Sequence, residues 1–505
     1  MTEYVFKNNT SIGNLDAETD SFLENCFIEK EEYNILKSFD DQENKTKRIL
    51  VGRTGSGKTA ILRILKNQVP LYDQTELAAE TTVFDYIKNN KFIMELLNNS
   101  VDLKIFFKAL WNHVILVKIL KLLKENQSFF VALKSKNKEM SNYVDKYGDI
   151  FFTDDVLNKI TETFQNDLEG SVSNKLFSLK GLHNEEVIQE MQGKTNAYVN
   201  KELLSQQRKI IEYLHTSFKW DKQKKIFITI DDLDKSWLTD LSIKYSFIDS
   251  LLESIKDFLN LSKLKIIISI RTDILEGVYK NSFRQKEKDL SLILPIEWTR
   301  QEIKKLLDRR INYLLKDKYR TTRVATLDDI FNFQVKKQNA IDYIIDRTMM
   351  RPRDAIDFVN KCFQAAEGKT SISEDNVITA ENFFFTSRKE ALRDEWKALY
   401  PGVEKYINVI LKFVSKQTFK LSHINVNKAK DEIMSCDDVN DAIVLKALDN
   451  KEDFVEELLQ VLFEIGVIGL KISKDNIIYS NFKKRHLDVS DFNKEFFVHP
   501  LFWRR

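Results

Sequence analysis

The chain has 505 residues, 43% hydrophobic and 30% charged, with a formal net charge of +2. This length supports roughly two to four cores, and the near-neutral balance excludes bulk attraction to nucleic acid or a membrane surface, so any basic surface must be local. Three scattered cysteines without a CxxC pair, and six histidines without zinc spacing, exclude a disulfide scaffold and a zinc module.

Pro and Gly number only 5 and 13, which favours a helix-rich protein. Residues 1–35 form a leader whose start lacks the basic-then-apolar pattern of a secretory signal. The most apolar long stretch, Phe107 to Leu123, is interrupted by Lys118 and Lys121 and is too short to span a bilayer. A cytoplasmic protein without a membrane partner is the expectation.

The first chemical signal is an apolar strand, Ile49 to Val51, that runs into Gly52-Arg53-Thr54-Gly55-Ser56-Gly57-Lys58-Thr59. This stretch matches G-x-x-x-x-G-K-[ST] at every fixed position, and Ala60 to Leu65 continues as an amphipathic helix. Glycines let the backbone curl so that successive N–H groups face one oxyanion. The helix start turns its positive end to the same place. Lys58 then reaches the β- and γ-phosphates, and Thr59 offers a hydroxyl to Mg²⁺. The binding stretch runs from Gly52 to Ala60.

About 170 residues, Ala60 to Ile230, lie between this loop and the end of the next signal, far more than a phosphate-loop core needs, and 72–222 read as a mostly helical insertion. Helical periodicity over Asp102–Lys124, Asp154–Leu168, Asn196–Gln207 and Ile210–Trp220 marks them as an insertion. The first of these carries the aromatics Phe106, Phe107 and Trp111, the expected role of the insertion as a whole is packing against a neighbouring subunit or partner, and His113 reads as a core histidine.

Ile226 to Ile230 is the second apolar strand, and it ends in Asp231-Asp232. Buried carboxylates are expensive unless they are used. Beside a phosphate loop, Asp231 would hold Mg²⁺ and Asp232 would polarise the attacking water as general base. An aspartate there is shorter than the glutamate common at this position, which points to modest turnover. A helix over Tyr245–Leu259 leads to a third apolar strand, Lys263 to Ile270, in which Ser269 and Arg271 interrupt the pattern. Either could sense a γ-phosphate, and an Arg271–Asp273 turn is the plain alternative.

LVGRTGSGKT, ITIDDLD and IISIRTDIL, in this order, resemble the AAA+-related STAND and KAP ATPases. The leader stretch Phe22–Phe39 is similar to a group of bacterial P-loop ATPases. The resemblance covers roughly 22–71 and 226–366. It implies an α/β P-loop NTPase parallel sheet (ASCE/AAA+-like) over 36–298 and a helical lid over 299–388. Leu294 to Ile303 looks like the strand, tryptophan and first lid helix. Met350-Arg351-Pro352-Arg353 looks like the sensor-2 element, with Arg351 or Arg353 turned to the nucleotide or paired with Asp354 or Asp357. Arg284 is the best-placed finger for a neighbouring subunit, and it also fits a solvated polar run. ATP rather than GTP is implied by the family.

After a break at Gly368 and a short helix within Ser373–Ser387, residues 389–505 read as several helices followed by a hairpin. That order is winged-helix-like. Lys483-Lys484-Arg485 could meet phosphates, or serve as a solvated wing. Two functions follow. One is a homo-oligomerising regulatory ATPase, the sensor half of a bacterial antiviral defence system with a separate protein effector. The other is an ATPase acting on DNA through its C-terminal domain.

Overall fold

A computed structural model describes residues 5–7, 9–40, 44–68, 73–76, 87, 90–124, 166, 185–216, 225–231, 233, 241–282, 286–319, 324–436, 438, 441–449, 454–474 and 476–503. The expected helix at Asp154–Leu168 lies outside them except for residue 166. The chain forms two compact units. One comprises Lys30–Val51 and Ile64–Leu294. The other comprises Met1–Glu29, Gly52–Arg63 and Pro295–Arg505.

The first unit is built on a five-stranded sheet of order β2-β3-β4-β1-β5. Its strands are β1 (Ile49–Gly52), β2 (Asp73–Glu76), β3 (Ile226–Ile230), β4 (Leu264–Arg271) and β5 (Ile293–Pro295). β2, β3 and β4 run parallel. Isoleucine dominates β3 and β4 because a parallel strand covered on both faces needs β-branched apolar side chains throughout. Helix α1 (Lys58–Gln68) follows β1, and α2 (Lys104–Lys124) lies between β2 and β3 in sequence. α3 (Leu241–Asp257) and α4 (Thr272–Asn281) flank β4 in sequence.

α2 packs on α3 in the same unit. Phe107 and Trp111 meet Phe247 at centroid distances of 5.0 and 4.8 Å, and the Trp111 indole donates to the Phe247 carbonyl. Phe106, Phe107 and Trp111 are thus buried within the chain. His113 is buried, and desolvation pushes its pKa down to about 3, so it is a neutral core imidazole. Residues 185–216 join the two shorter expected helices into one run through a π-helical turn, Val199–Leu204. No described helix is long and apolar enough to cross a membrane.

In the second unit the helical lid starts with α5 (Arg300–Tyr319). A small hairpin, β6 (Gln334–Val335) and β7 (Gln338–Asn339), leads on to α6 (Pro352–Ala365). Pro352 opens α6, where its missing N–H costs nothing. α7 (Glu374–Trp396) follows. The sequence suggested a short helix ending near Ser387 and another from Ala391, but α7 is continuous across residue 388. Ser373 and Asn376 form a capping box at its start, and no glycine or proline interrupts 374–396. Phe358 of α6 stacks on Phe384 of α7 at 4.8 Å.

Beyond α7 come α8 (Val403–Phe413), helices over Val426–Met434 and Ala442–Leu448, and α9 (Phe454–Glu464). An antiparallel sheet of order β10-β9-β11-β8 completes the winged-helix-like part. Its strands are β8 (Thr418–Phe419), β9 (Ile468–Lys471), β10 (Ile477–Ile478) and β11 (Glu495–Val498). The leader docks in this unit. Phe6 and the Gly368–Lys369 turn exchange backbone hydrogen bonds, and Arg310 of α5 pairs with Asp20 at 2.6 Å.

Candidate functional site

The loop after β1 curls tightly between that strand and the helix that follows. Gly55 and Gly57 take φ values of +79° and +96°, a region an L side chain enters only with strain. At Gly55 a Cβ would lie 2.8 Å from the Cβ of Arg353, so glycine is also required by close approach. Helix α1 begins directly after Gly57 and directs its first N–H groups and positive end into the loop. The Lys58 side chain is buried and curls back, its Nζ donating to the Gly52 carbonyl at 3.0 Å and the Arg53 carbonyl at 3.2 Å. The Trp298 indole donates to the Ser56 carbonyl at 2.8 Å, bracing the far side of the loop. Thr59 and Ala60 sit half-buried in the first turn of α1.

The first half of the loop is bound by groups from the lid and from beyond it. Thr54 N–H donates to Glu395 Oε1 at 3.2 Å, and the Thr54 carbonyl accepts from Arg351 Nη1 at 3.2 Å. Arg351 and Glu395 form a buried ion pair at 3.0 Å. Asp354, 4.0 Å from Arg351, pairs with Arg388 at 2.5 Å. The Arg353 backbone N–H donates to the Gly55 carbonyl at 3.3 Å.

The two sensor-2 candidates therefore differ. Arg351 is buried, and one nitrogen, Nη1, donates both to Glu395 Oε2 and to the Thr54 carbonyl, while Nε and Nη2 have no hydrogen-bond partner among the described residues. Arg353 is half-buried and packs against Gly55, and its Nε donates to the Leu15 carbonyl. Burial lowers the Arg353 pKa from its usual value. Of the two candidates, only Arg351 forms an ion pair with a carboxylate among the described residues.

Arg53 points the other way. Its Nη2 donates to the Ile465 carbonyl at 2.5 Å, in the turn between α9 and β9. Burial, reinforced by Arg351, pulls the Arg53 pKa down to about 9. His499, after β11, is pushed down to about 3, chiefly by burial and further by Arg53, Arg347 and Arg351. It is neutral, and its Nδ1 accepts the Leu501 N–H at 3.2 Å. Glu395, Arg53's carbonyl partner Ile465 and the neutral His499 were not singled out in the sequence. They lie more than 340 residues from the loop, and no local pattern marks them.

In the sheet unit, Asp231 directly follows β3 and is half-buried. The register pairs Ile230 with Ile268, which brings Asp231 and Ser269 to neighbouring positions at the carboxyl end of the sheet. The Ser269 hydroxyl is buried without a hydrogen-bond partner among the described residues. Arg271 makes a two-point pair with Asp273, Nε to Oδ1 at 2.9 Å and Nη2 to Oδ2 at 2.8 Å, the turn anticipated as the alternative to a sensor. The carboxyl edge of such a sheet is where ligands of α/β folds bind. Asp232 and Arg284 lie outside the described residues. Among the described residues no cluster of three His, Cys, Asp or Glu side chains is placed to hold a metal.

In the C-terminal sheet region, Lys484 is engaged by Asp488 and Asp491, each at 2.6 Å. Burial alone would raise the Asp491 carboxyl. Hydrogen bonds from Lys484, Lys494 and the Asp488 N–H outweigh it and hold the pKa at about 2. A depressed carboxylate contributes stability above its ordinary pKa and loses it as pH falls through the folded value. Asp491→Asn should therefore lower the melting temperature at pH 5, and the gap to wild type should close between about pH 4 and pH 2. A gap that persists at pH 2 would contradict this assignment.

Residues 301–393 match a family model described as the FunZ-associated C-terminal helical domain, which spans α5 to most of α7. No curated protein matches the chain. A solved Walker-type ATPase of Pyrococcus abyssi is similar at 12% identity and TM-score 0.37, with 94% of each chain covered. The ORC2 protein of Aeropyrum pernix, solved as ADPNP–ADP complexes, is similar at 12% identity and TM-score 0.36. That match covers 90% of this chain and 84% of the other.

Proposed function

We propose that the chain binds Mg-ATP at Gly52–Ala60 and hydrolyses it slowly, as a regulatory switch whose nucleotide state governs self-assembly and a separate effector protein. The observation that carries this reading is the folded loop: strand before, helix after, two left-handed glycines, and a lysine ammonium already lodged among the loop carbonyls. Thr59 and Asp231 supply oxygen donors of the kind Mg²⁺ takes. When bound, the ion would neutralise phosphate charge. Asp232 is the proposed base, Ser269 the proposed γ-phosphate sensor, and Arg284 the proposed finger offered to a neighbouring copy. Arg353, rather than Arg351, is the proposed sensor-2 arginine.

The nucleic-acid reading has less support, because Lys484 of the basic run is tied to Asp488 and Asp491.

Fluorescent ATP and ADP analogues, titrated with Mg²⁺ into wild type and Arg353→Ala, test the proposal. Light-scattering mass is followed in the same samples. Wild type should bind both nucleotides. Arg353→Ala should weaken ATP by about tenfold and ADP less, since the lost charge acts mainly on the terminal phosphate. Mass should rise with ATP in wild type only. Absence of nucleotide binding by wild type would overturn the reading.

A further inference from the structure

Thr54 is held at both of its backbone groups by one buried ion pair. Its N–H goes to Glu395 and its carbonyl to Arg351, and these two side chains bond each other at 3.0 Å. Glu395 and Arg351 are 4% and 2% exposed, so water does not compete for these bonds. Glu395 sits in the last turn of α7, one residue before Trp396. The flanking loop residues are held from the same half of the chain. Arg53 reaches Ile465, and Gly55 accepts from the Arg353 N–H. Three consecutive residues before the Ser56–Thr59 segment are thus fixed by α6, by α7 and by the turn before β9.

We propose that Glu395 is a positioning residue for the nucleotide phosphates, and that the Glu395–Arg351 pair is the link through which α7 sets the shape of the loop. The proposal rests on the reading of the loop as a nucleotide site. A phosphate loop binds through converging backbone N–H groups, so its affinity depends on their being fixed before the ligand arrives. Thr54 precedes those groups, and its freedom passes directly to Gly55 and Ser56. Glu395 does not touch phosphate in this role. It keeps the cradle in register and makes nucleotide affinity responsive to anything that shifts the end of α7.

The test is the affinity of fluorescent ADP and ATP for wild type, Glu395→Ala, Glu395→Gln and Arg351→Lys, with melting temperatures and steady-state hydrolysis. Glu395→Ala should weaken ADP and ATP alike, by about tenfold, the scale of re-fixing one residue's backbone. Glu395→Gln still offers an oxygen to the Thr54 N–H and should fall between Ala and wild type. Arg351→Lys loses the guanidinium nitrogen that bonds both Glu395 and the Thr54 carbonyl and should move the same way. KM should rise more than kcat falls. Nucleotide affinities at the wild-type value in all three variants, with only a lower melting temperature, would overturn the proposal and leave Glu395 a structural residue. Selectively tighter ATP in Glu395→Gln would also overturn it, because the carboxylate would then be repelling the terminal phosphate. If Glu395→Ala does not fold, Glu395→Gln and Arg351→Lys decide the matter. Failure of wild type to bind either nucleotide defeats the reading of the loop itself, a result distinct from normal wild-type binding with unaltered variants.

Discussion

Lys58→Ala should abolish nucleotide binding, raising Kd by about a hundredfold or more. The Lys58 ammonium is 9% exposed and sits 3.0 Å from one loop carbonyl and 3.2 Å from the next. It is the one side-chain cation that the motif places inside the cradle, and alanine leaves nothing to replace its charge. The glycine conformations and the Thr54 contacts do not depend on it, so the fold should persist. Isothermal titration calorimetry with ADP and ATP is the measurement, with circular dichroism as the control for folding. A folded variant that binds within about threefold of wild type would show that the loop does not take phosphate.

Arg310→Ala should cost about 3–5 kcal/mol of stability, the range for removing one partner of a buried ion pair. Arg310 Nη2 bonds Asp20 at 2.6 Å and Nη1 bonds the Ile12 carbonyl at 2.8 Å, with both charged side chains at most 4% exposed. The alanine variant strands the Asp20 carboxylate and releases a backbone carbonyl together. Asp20→Asn with Arg310→Met should recover much of the loss, because no uncompensated charge then remains. Urea unfolding reads both. A loss below about 1 kcal/mol in the single variant would mean that the leader docks through its apolar side chains, Phe6, Ile12 and Phe22, without help from the ion pair.

The parts of this molecule that were legible in advance are those encoded over short stretches. Gly52–Thr59 carries its own geometry, because glycine spacing and a following helix determine where N–H groups point. The isoleucine runs at Ile226–Ile230 and Leu264–Ile270 could only be buried parallel strands, and the register that sets Asp231 beside Ser269 followed once they paired. The short helix within Ser373–Ser387 is only part of α7, because the capping box at Ser373 and an unbroken backbone carry the helix through to Trp396. The strands β6, β7 and β8 are two residues each and leave no period to detect. Arg351 and Arg353 were indistinguishable as letters. Only the long-range partners, Glu395 for one and Gly55 and Leu15 for the other, separate them.

The union of the loop with the end of the chain also has a meaning during synthesis. Thr54 and Glu395 are 341 positions apart, and Arg53 and Ile465 are 412 apart. A ribosome adding about 5–20 residues per second leaves the newborn loop without these partners for an interval on the order of tens of seconds. Through that interval the glycine-rich segment lacks the long-range contacts that fix Arg53 and Thr54. A nascent chain would therefore hold the loop without its Glu395 and Ile465 contacts until those residues had been made, so the order of synthesis itself delays the fixing of Arg53 and Thr54.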